Sequence, residues 1–260
     1  MKRFLTPFLV LALAVAGATI VYATHSWGGY HWARTANPFT LKLGDNVSTA
    51  WDSYLATTSG DWSVASVLDT AVVSGSTNPR NCKAVTGRVE VCSSKYGYNG
   101  WLGVATIWVS GGHITKGTTK LNDSYFNTAT YNTPGWRNLV MCQEVGHTIG
   151  LDHPDETFEN LNLGTCMDYT NDPDGTLYAQ LSNEHPNLHD YEMLETIYEH
   201  LDTTITIKQT TSKGRPEIDL SNPEAWGREL RRSSDGRQSL YERDLGRGDK
   251  IFTFVIWAKE

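Results

Sequence analysis

Gln143-Glu144-Val145-Gly146-His147-Thr148-Ile149-Gly150-Leu151-Asp152-His153 is the stretch on which the reading of this chain turns. From Trp136 to Ile149 the pattern is helical, with Leu139, Val140, Cys142, Val145 and Ile149 available for burial. Gly150 is the natural stop, because glycine takes the left-handed conformation that ends a helix. On that helix Gln143 and His147 stand one turn apart and project from one face. Glu144 lies about 100 degrees around, beside the space the two side chains point into. After the turn at Gly150, His153 can come back toward the same point. Two donors from a helix and one from a returning loop supply three corners of a tetrahedron and leave the fourth for water, as catalytic zinc requires.

The spacing resembles the metzincin signature H-E-x-x-H-x-x-G-x-x-H, with Gln143 in the place of the first histidine. Further on, Cys166-Met167-Asp168-Tyr169 is similar to the Met-turn of that family, the hydrophobic floor beneath the metal. The resemblance covers Phe39 to Leu201, and its specific motifs occupy Gln143 to His153 and Met167 to Tyr169. It implies an α+β fold of the astacin, serralysin and matrixin kind: a twisted mixed sheet, an active-site helix and a Met-turn. It also implies Zn2+ held by His147, His153 and Gln143, with Met167 as the structural Met-turn residue. The activity implied is a secreted zinc endopeptidase, in which Glu144 is general base to a metal-activated water and Tyr169 stabilises the oxyanion. Gly100 to Val109 looks like the family's edge strand, which takes an extended substrate by strand addition.

Gln143 departs from the pattern, since an amide oxygen is a poorer donor to zinc than imidazole. It ligates weakly, or His113, Asp152 or Asp155 completes the shell, or the chain is a catalytically inactive metzincin scaffold that binds peptides or proteins. The motif residues have plainer readings beside these. Tyr169 suits packing equally well, and His25, His31, His185, His189 and His200 read as surface or capping residues. The acidic group Asp152, Asp155, Glu156, Asp168, Asp172 and Asp174 raises Ca2+ as a further ion. No repeat of ligand positions appears there, so a solvated acidic loop is the preferred reading.

Outward from the motif, composition bounds the rest. Among 260 residues, 11% are aromatic, including nine Trp and twelve Tyr, enough for a packed core. A net charge of -7 argues against a nucleic-acid partner. From Thr206 onward the chain carries 11 basic and 9 acidic residues against totals of 22 and 29, so a mildly basic tail follows an acidic body. Lys2 and Arg3, the apolar run Phe8 to Val21, and Val21-Tyr22-Ala23 read as a cleavable signal peptide over residues 1–23. The run is 14 residues long, short of the ~20 a spanning helix needs. The expectation is therefore an exported monomer, with no stable membrane insertion, acting on protein or peptide substrates outside the cell.

Export makes the four cysteines two disulfides. Of the three connectivities, Cys82–Cys92 and Cys142–Cys166 are favoured. The first closes a short loop, and the second ties the helix to the loop after it. Strands are expected at Phe39 to Leu43, Ser66 to Val73, Arg88 to Cys92, Trp101 to Val109 and His113 to Leu121. Helices are expected at Val47 to Ala56 and His189 to Leu201. Three further strands, Arg228 to Arg232, Gln238 to Arg243 and Lys250 to Trp257, suggest a small β-rich extension over 203–260, beyond a catalytic domain at 24–202.

Overall fold

The computed structural model describes residues 25–155, 157–158, 160–208 and 218–259. The expected signal segment, Glu156 and residues 209–217 of the expected extension lie outside the described residues. The strands are β1 (His31–Trp32), β2 (Phe39–Asn46), β3 (Leu68–Ser74), β4 (Val89–Ser94), β5 (Trp101–Ser110), β6 (His113–Asn122), β7 (Arg228–Arg232), β8 (Gln238–Gly246) and β9 (Asp249–Trp257). The helices are α1 (Asp52–Trp62), α2 (Asp123–Phe126), α3 (Pro134–Thr148) and α4 (Leu188–Ile197). The architecture is α+β. One mixed sheet runs β3-β2-β4-β6-β5-β9-β8-β7, with β1 paired to β6 off this path.

The sheet is parallel from β3 to β6 and antiparallel from β6 to β7. The change of direction falls at the β5–β6 hairpin, where Ser110 faces His113 across Gly111 and Gly112, at φ 58 and 89. Two consecutive positive φ values suit a tight hairpin turn and favour glycine at both places.

Helix α3 packs against β5, β6, β9 and α1. Thr133 caps its first turn by accepting from Trp136 N at 3.3 Å, and Pro134 fits the position where no N–H is needed. Its end is set by Gly150, φ 105, where a Cβ would stand 2.7 Å from Tyr30 O. Every residue from Leu139 to Thr148 is buried, so the helix carries no solvent face along that stretch.

The short elements β1 and α2 are not expected from the sequence, and two of the expected helices have different bounds. Helix α1 starts at Asp52 rather than Val47, because Asp45 Oδ1 and Ser93 Oγ accept from Val47 N and Ser48 N and hold that stretch as a turn. Its buried face, Leu55, Thr58, Ser59 and Trp62, includes two polar residues, which hides the period. Helix α4 ends at Ile197, four residues early. The buried Arg34 guanidinium takes the carbonyls of Tyr198 and His200 there, so the chain turns away from helical geometry.

The expectation of β5 as an open edge is overturned, because β9 pairs with it antiparallel from Trp101↔Trp257 to Ser110↔Asp249. The reason lies in the two-residue period of β9. Phe252, Phe254 and Ile256 enter the main core, while Ile251 and Val255 pack with Trp101, Val104 and Trp226 on the other face. Each of these large side chains contributes roughly 1.5–3 kcal/mol on burial, so the strand is held from both sides. The extension therefore continues the sheet of the preceding segment.

Both disulfides, Cys82–Cys92 and Cys142–Cys166, are present. The second closes a loop of sequence separation 24 between α3 and the Met167 segment. Replacing Cys142 and Cys166 with Ala is expected to lower the free energy of unfolding in urea by about 3 kcal/mol, the chain entropy such a loop restrains. An unchanged midpoint and slope would remove the bridge from the account of stability.

Candidate active site

Helix α3 presents Gln143, Glu144 and His147, and the turn at Gly150 returns His153 to them. The rings of His147 and His153 lie 4.6 Å apart between centroids. Each imidazole is oriented by the main chain. His147 Nδ1–H donates to Leu151 O at 2.9 Å, and His153 Nδ1–H donates to Met167 O at 2.7 Å. A donor fixed at Nδ1 leaves Nε2 as the bare lone pair, the form in which histidine binds a metal. His153 Nε2 is buried and finds no protein partner. Burial pushes the pKa of His147 down to about 4, partly offset by the Leu151 carbonyl and Asp152 and reinforced by Arg231. Burial also drives His153 well below its ordinary value, with His147 and Arg231 adding to the effect.

Glu144, three residues before His147 on α3, is buried and its carboxyl pKa is raised well above normal, burial outweighing a hydrogen bond from the Ala105 backbone. Its Oε2 has no partner. Strand β5 passes close over this carboxylate at Gly103, where a Cβ would meet Val140 Cγ1 at 2.6 Å and Glu144 Oε1 at 2.7 Å. Any side chain at 103 would displace the acid.

Gln143 is engaged at both ends of its amide. Nε2 donates to Cys166 O at 2.8 Å and to Asp168 O at 3.2 Å, while Oε1 accepts from Gln238 Nε2 at 3.2 Å. The amide thus ties α3 to the Met167 segment, and no single imidazole could make all three bonds. The other candidate donors lie elsewhere. His113 Nε2 faces Asp202 at 3.0 Å. The Asp152 carboxylate is gripped by both terminal nitrogens of Arg231. Asp155 accepts from Thr157 N and Asn160 Nδ2.

Met167 packs under the helix where Gly146 leaves room: a Cβ there would stand 2.4 Å from Met167 Sδ. The Tyr169 ring lies 4.3 Å from that of His153 and 4.8 Å from that of Phe158. The acidic loop carboxylates mostly organise their own backbone. Asp172 accepts from Leu177 N, Tyr178 N and Gln180 Nε2, and Asp168 accepts from Leu163 N and Asn183 Nδ2. Burial raises the Asp168 pKa to about 6.

Sequence reasoning missed what covers the site. The Phe254 ring of β9 lies flat on that of His147, 3.9 Å between centroids and 6° from parallel. Gln238 and Leu240 of β8 and Arg231 of β7 close around His153 and Tyr169. These residues lie some distance along the chain from the motif, and no local signal joins them to it. The nearly continuous apolar run Ile251–Trp257 carried the one hint, since a strand apolar on both faces needs cover on both. His25 and His31, read as surface or capping residues, are in fact buried, His25 beside Asp190 at 3.2 Å.

The sequence matches no protein-family model and no curated protein sequence. Solved structures similar to it include high choriolytic enzyme 1, a hatching enzyme zinc-protease from Oryzias latipes (Medaka fish). That match has 11% identity and a TM-score of 0.36, over 65% of this chain and 94% of that one. Myroilysin is similar at 12% identity and a TM-score of 0.35, over 64% of this chain and 82% of that one.

Exchanging Gln143→His separates the two tasks of the amide. The variant is expected to bind zinc on the order of 100-fold more tightly in a chelator competition, by gaining an imidazole donor. It should also lose about 1–3 kcal/mol in urea unfolding, as the Cys166 and Asp168 carbonyls lose their donor. Unchanged zinc affinity in a folded variant would show that position 143 does not face the ion.

Proposed function

We propose that this chain is a secreted zinc-dependent endopeptidase whose own C-terminal hairpin holds it closed. The observation carrying this reading is the pair of adjacent imidazoles locked through Nδ1 to carbonyl oxygens, with His153 Nε2 and, on the same helix as His147, Glu144 Oε2 both buried without a partner. A bare imidazole nitrogen and a buried carboxylate oxygen left without partners are groups that a cation and its water would satisfy. His147 and His153 would hold zinc through Nε2, and both are neutral as a ligand must be. Zinc bound there supplies a Lewis acid for a peptide carbonyl.

The chain's own residues do the remainder. Glu144 takes the proton of the attacking water and returns it to the leaving amine, and its buried setting raises its basicity for that purpose. The Tyr169 hydroxyl donates to the oxygen on which negative charge develops. Strand β5 has no free edge while β9 is in place, and it would pair with an extended protein or peptide substrate only once β9 is displaced. In the closed form β9 occupies that place and Phe254 lies on His147. Gln238 meanwhile engages Gln143 Oε1. Withdrawing the hairpin would therefore free the substrate strand, the His147 ring and the third candidate donor together. The net charge of -7 gives no support to a nucleic-acid partner, and among the described residues no helix is long and apolar enough to cross a membrane.

A second reading, a scaffold that binds peptide without cutting it, draws on the same Gln143 bonds and the Phe254 stack. The variant Gln238→Ala/Phe254→Ala separates the two. As an endopeptidase it should hydrolyse casein faster than the native chain, in a chelator-sensitive way. Adding Glu144→Gln should reduce that rate by about 10²- to 10⁴-fold while zinc stays bound. A folded, zinc-loaded, loosened variant that cuts nothing selects the scaffold.

A further inference from the structure

Away from the His147 pair, a second set of donors converges where the start of the described chain meets the segment after α4. We propose that His31, His113 and Asp202 form a structural site for a divalent transition metal, with zinc the ion the donor set suits and His200 at its open side. Among the described residues, the ligand atoms of His31, His113 and Asp202 lie within 4.8 Å of one another. Asp202 Oδ1 is 3.0 Å from His113 Nε2, 3.4 Å from His31 Nε2 and 3.7 Å from His200 Nε2. Donors about 2.1 Å from a tetrahedral zinc stand roughly 3.4 Å apart, so the group needs little movement to close on an ion.

The surroundings orient these donors as they would for a metal. His31 Nδ1–H donates to Gly29 O at 2.8 Å, which turns the Nε2 lone pair toward the carboxylate. A lone pair facing a carboxylate oxygen is favourable only with a proton or a metal ion between them. The other oxygen, Asp202 Oδ2, accepts from Arg34 N at 3.1 Å and Arg34 Nη1 at 2.9 Å, so Oδ1 alone is left for the cluster. The rings of His113 and His200 lie 4.9 Å and 4.7 Å from that of His31, each nearly perpendicular to it. Two imidazoles and a carboxylate, with a third imidazole within reach, are a borderline donor set that suits zinc better than calcium or magnesium.

Such an ion would join three parts of the chain far apart in sequence. His31 lies on β1, His113 opens β6, and Asp202 follows α4. The junction is already laced by backbone bonds, Asp202 N to Arg34 O and Thr206 N to Ala33 O, both at 2.9 Å. The site is a staple for the fold, and its chemistry is independent of peptide hydrolysis.

The test uses the full, untagged chain, stripped with chelator and reloaded with zinc, beside the variant His113→Ala/His200→Ala. Side chains at these positions are 29% and 60% exposed, so the variant should keep its fold, as far-UV circular dichroism in chelator would verify. The native chain is expected to hold one zinc per chain more than the variant by native mass spectrometry. Zinc should also raise the melting temperature of the native chain more than that of the variant. Two ions against one supports this site together with the His147–His153 ion. One against none supports this site and removes the other. Equal zinc content in the two proteins overturns it. Should the double variant fail to fold, His113→Asn alone is read by the same comparison.

Discussion

A helix that carries Arg, Asn, Gln, Glu and His and yet lies in the interior sets the terms for everything around it. Each polar group on α3 must find a partner once water is gone, and an unmet one costs about 1–3 kcal/mol. The partners come from several other segments. Arg137 Nη2 reaches Phe126 O, Gln143 reaches the Cys166 and Asp168 carbonyls, and His147 reaches Leu151 O. Trp62 and Trp32 donate in turn to the Cys142 and Thr148 carbonyls. Among the buried side-chain atoms of the described residues left without a hydrogen-bond partner are Glu144 Oε2, on this helix, and His153 Nε2, on the loop that follows it.

Much of this was legible in the residues. The strand positions followed from runs of β-branched and apolar residues between glycine turns, and Gly150 marked the end of α3 by a conformation few other residues adopt. The offsets between Glu144, His147 and His153 carried the convergence of the two rings. The errors have one physical source, bonds made between distant segments. The α1 boundary moved because Ser93, on another strand, holds Ser48, and α4 stopped because Arg34 takes its carbonyls. His31 gave no sign of burial, since its partner Asp202 is far along the chain. The cover over the site belongs to the same class, as neither Phe254 nor Gln238 carries a local mark of its destination.

The electrostatics of the covered site are those of a place built for neutral imidazole. Burial lowers both histidines, and the Arg231 cation that grips Asp152 lowers them further. Arg231 reaches in from β7, the outermost strand of the sheet, whose Arg228, Glu229 and Arg232 are exposed. Charges along such an edge discourage pairing with another chain, which protects a sheet whose buried strands are strongly apolar.

The pairing of β5 with β9 also bears on the order in which the chain assembles. The β5–β6 hairpin closes over two glycines, whereas β9 must return from well beyond α4 to meet Trp101. Contacts between remote segments form late, because the entropy of closing a long loop must be overcome before they are rewarded. During synthesis the helix, the returning loop and the two imidazoles can reach their places while β9 is still emerging. A newly made molecule would thus pass through a period in which its central groove stands bare, and cover would arrive after the groove itself is built.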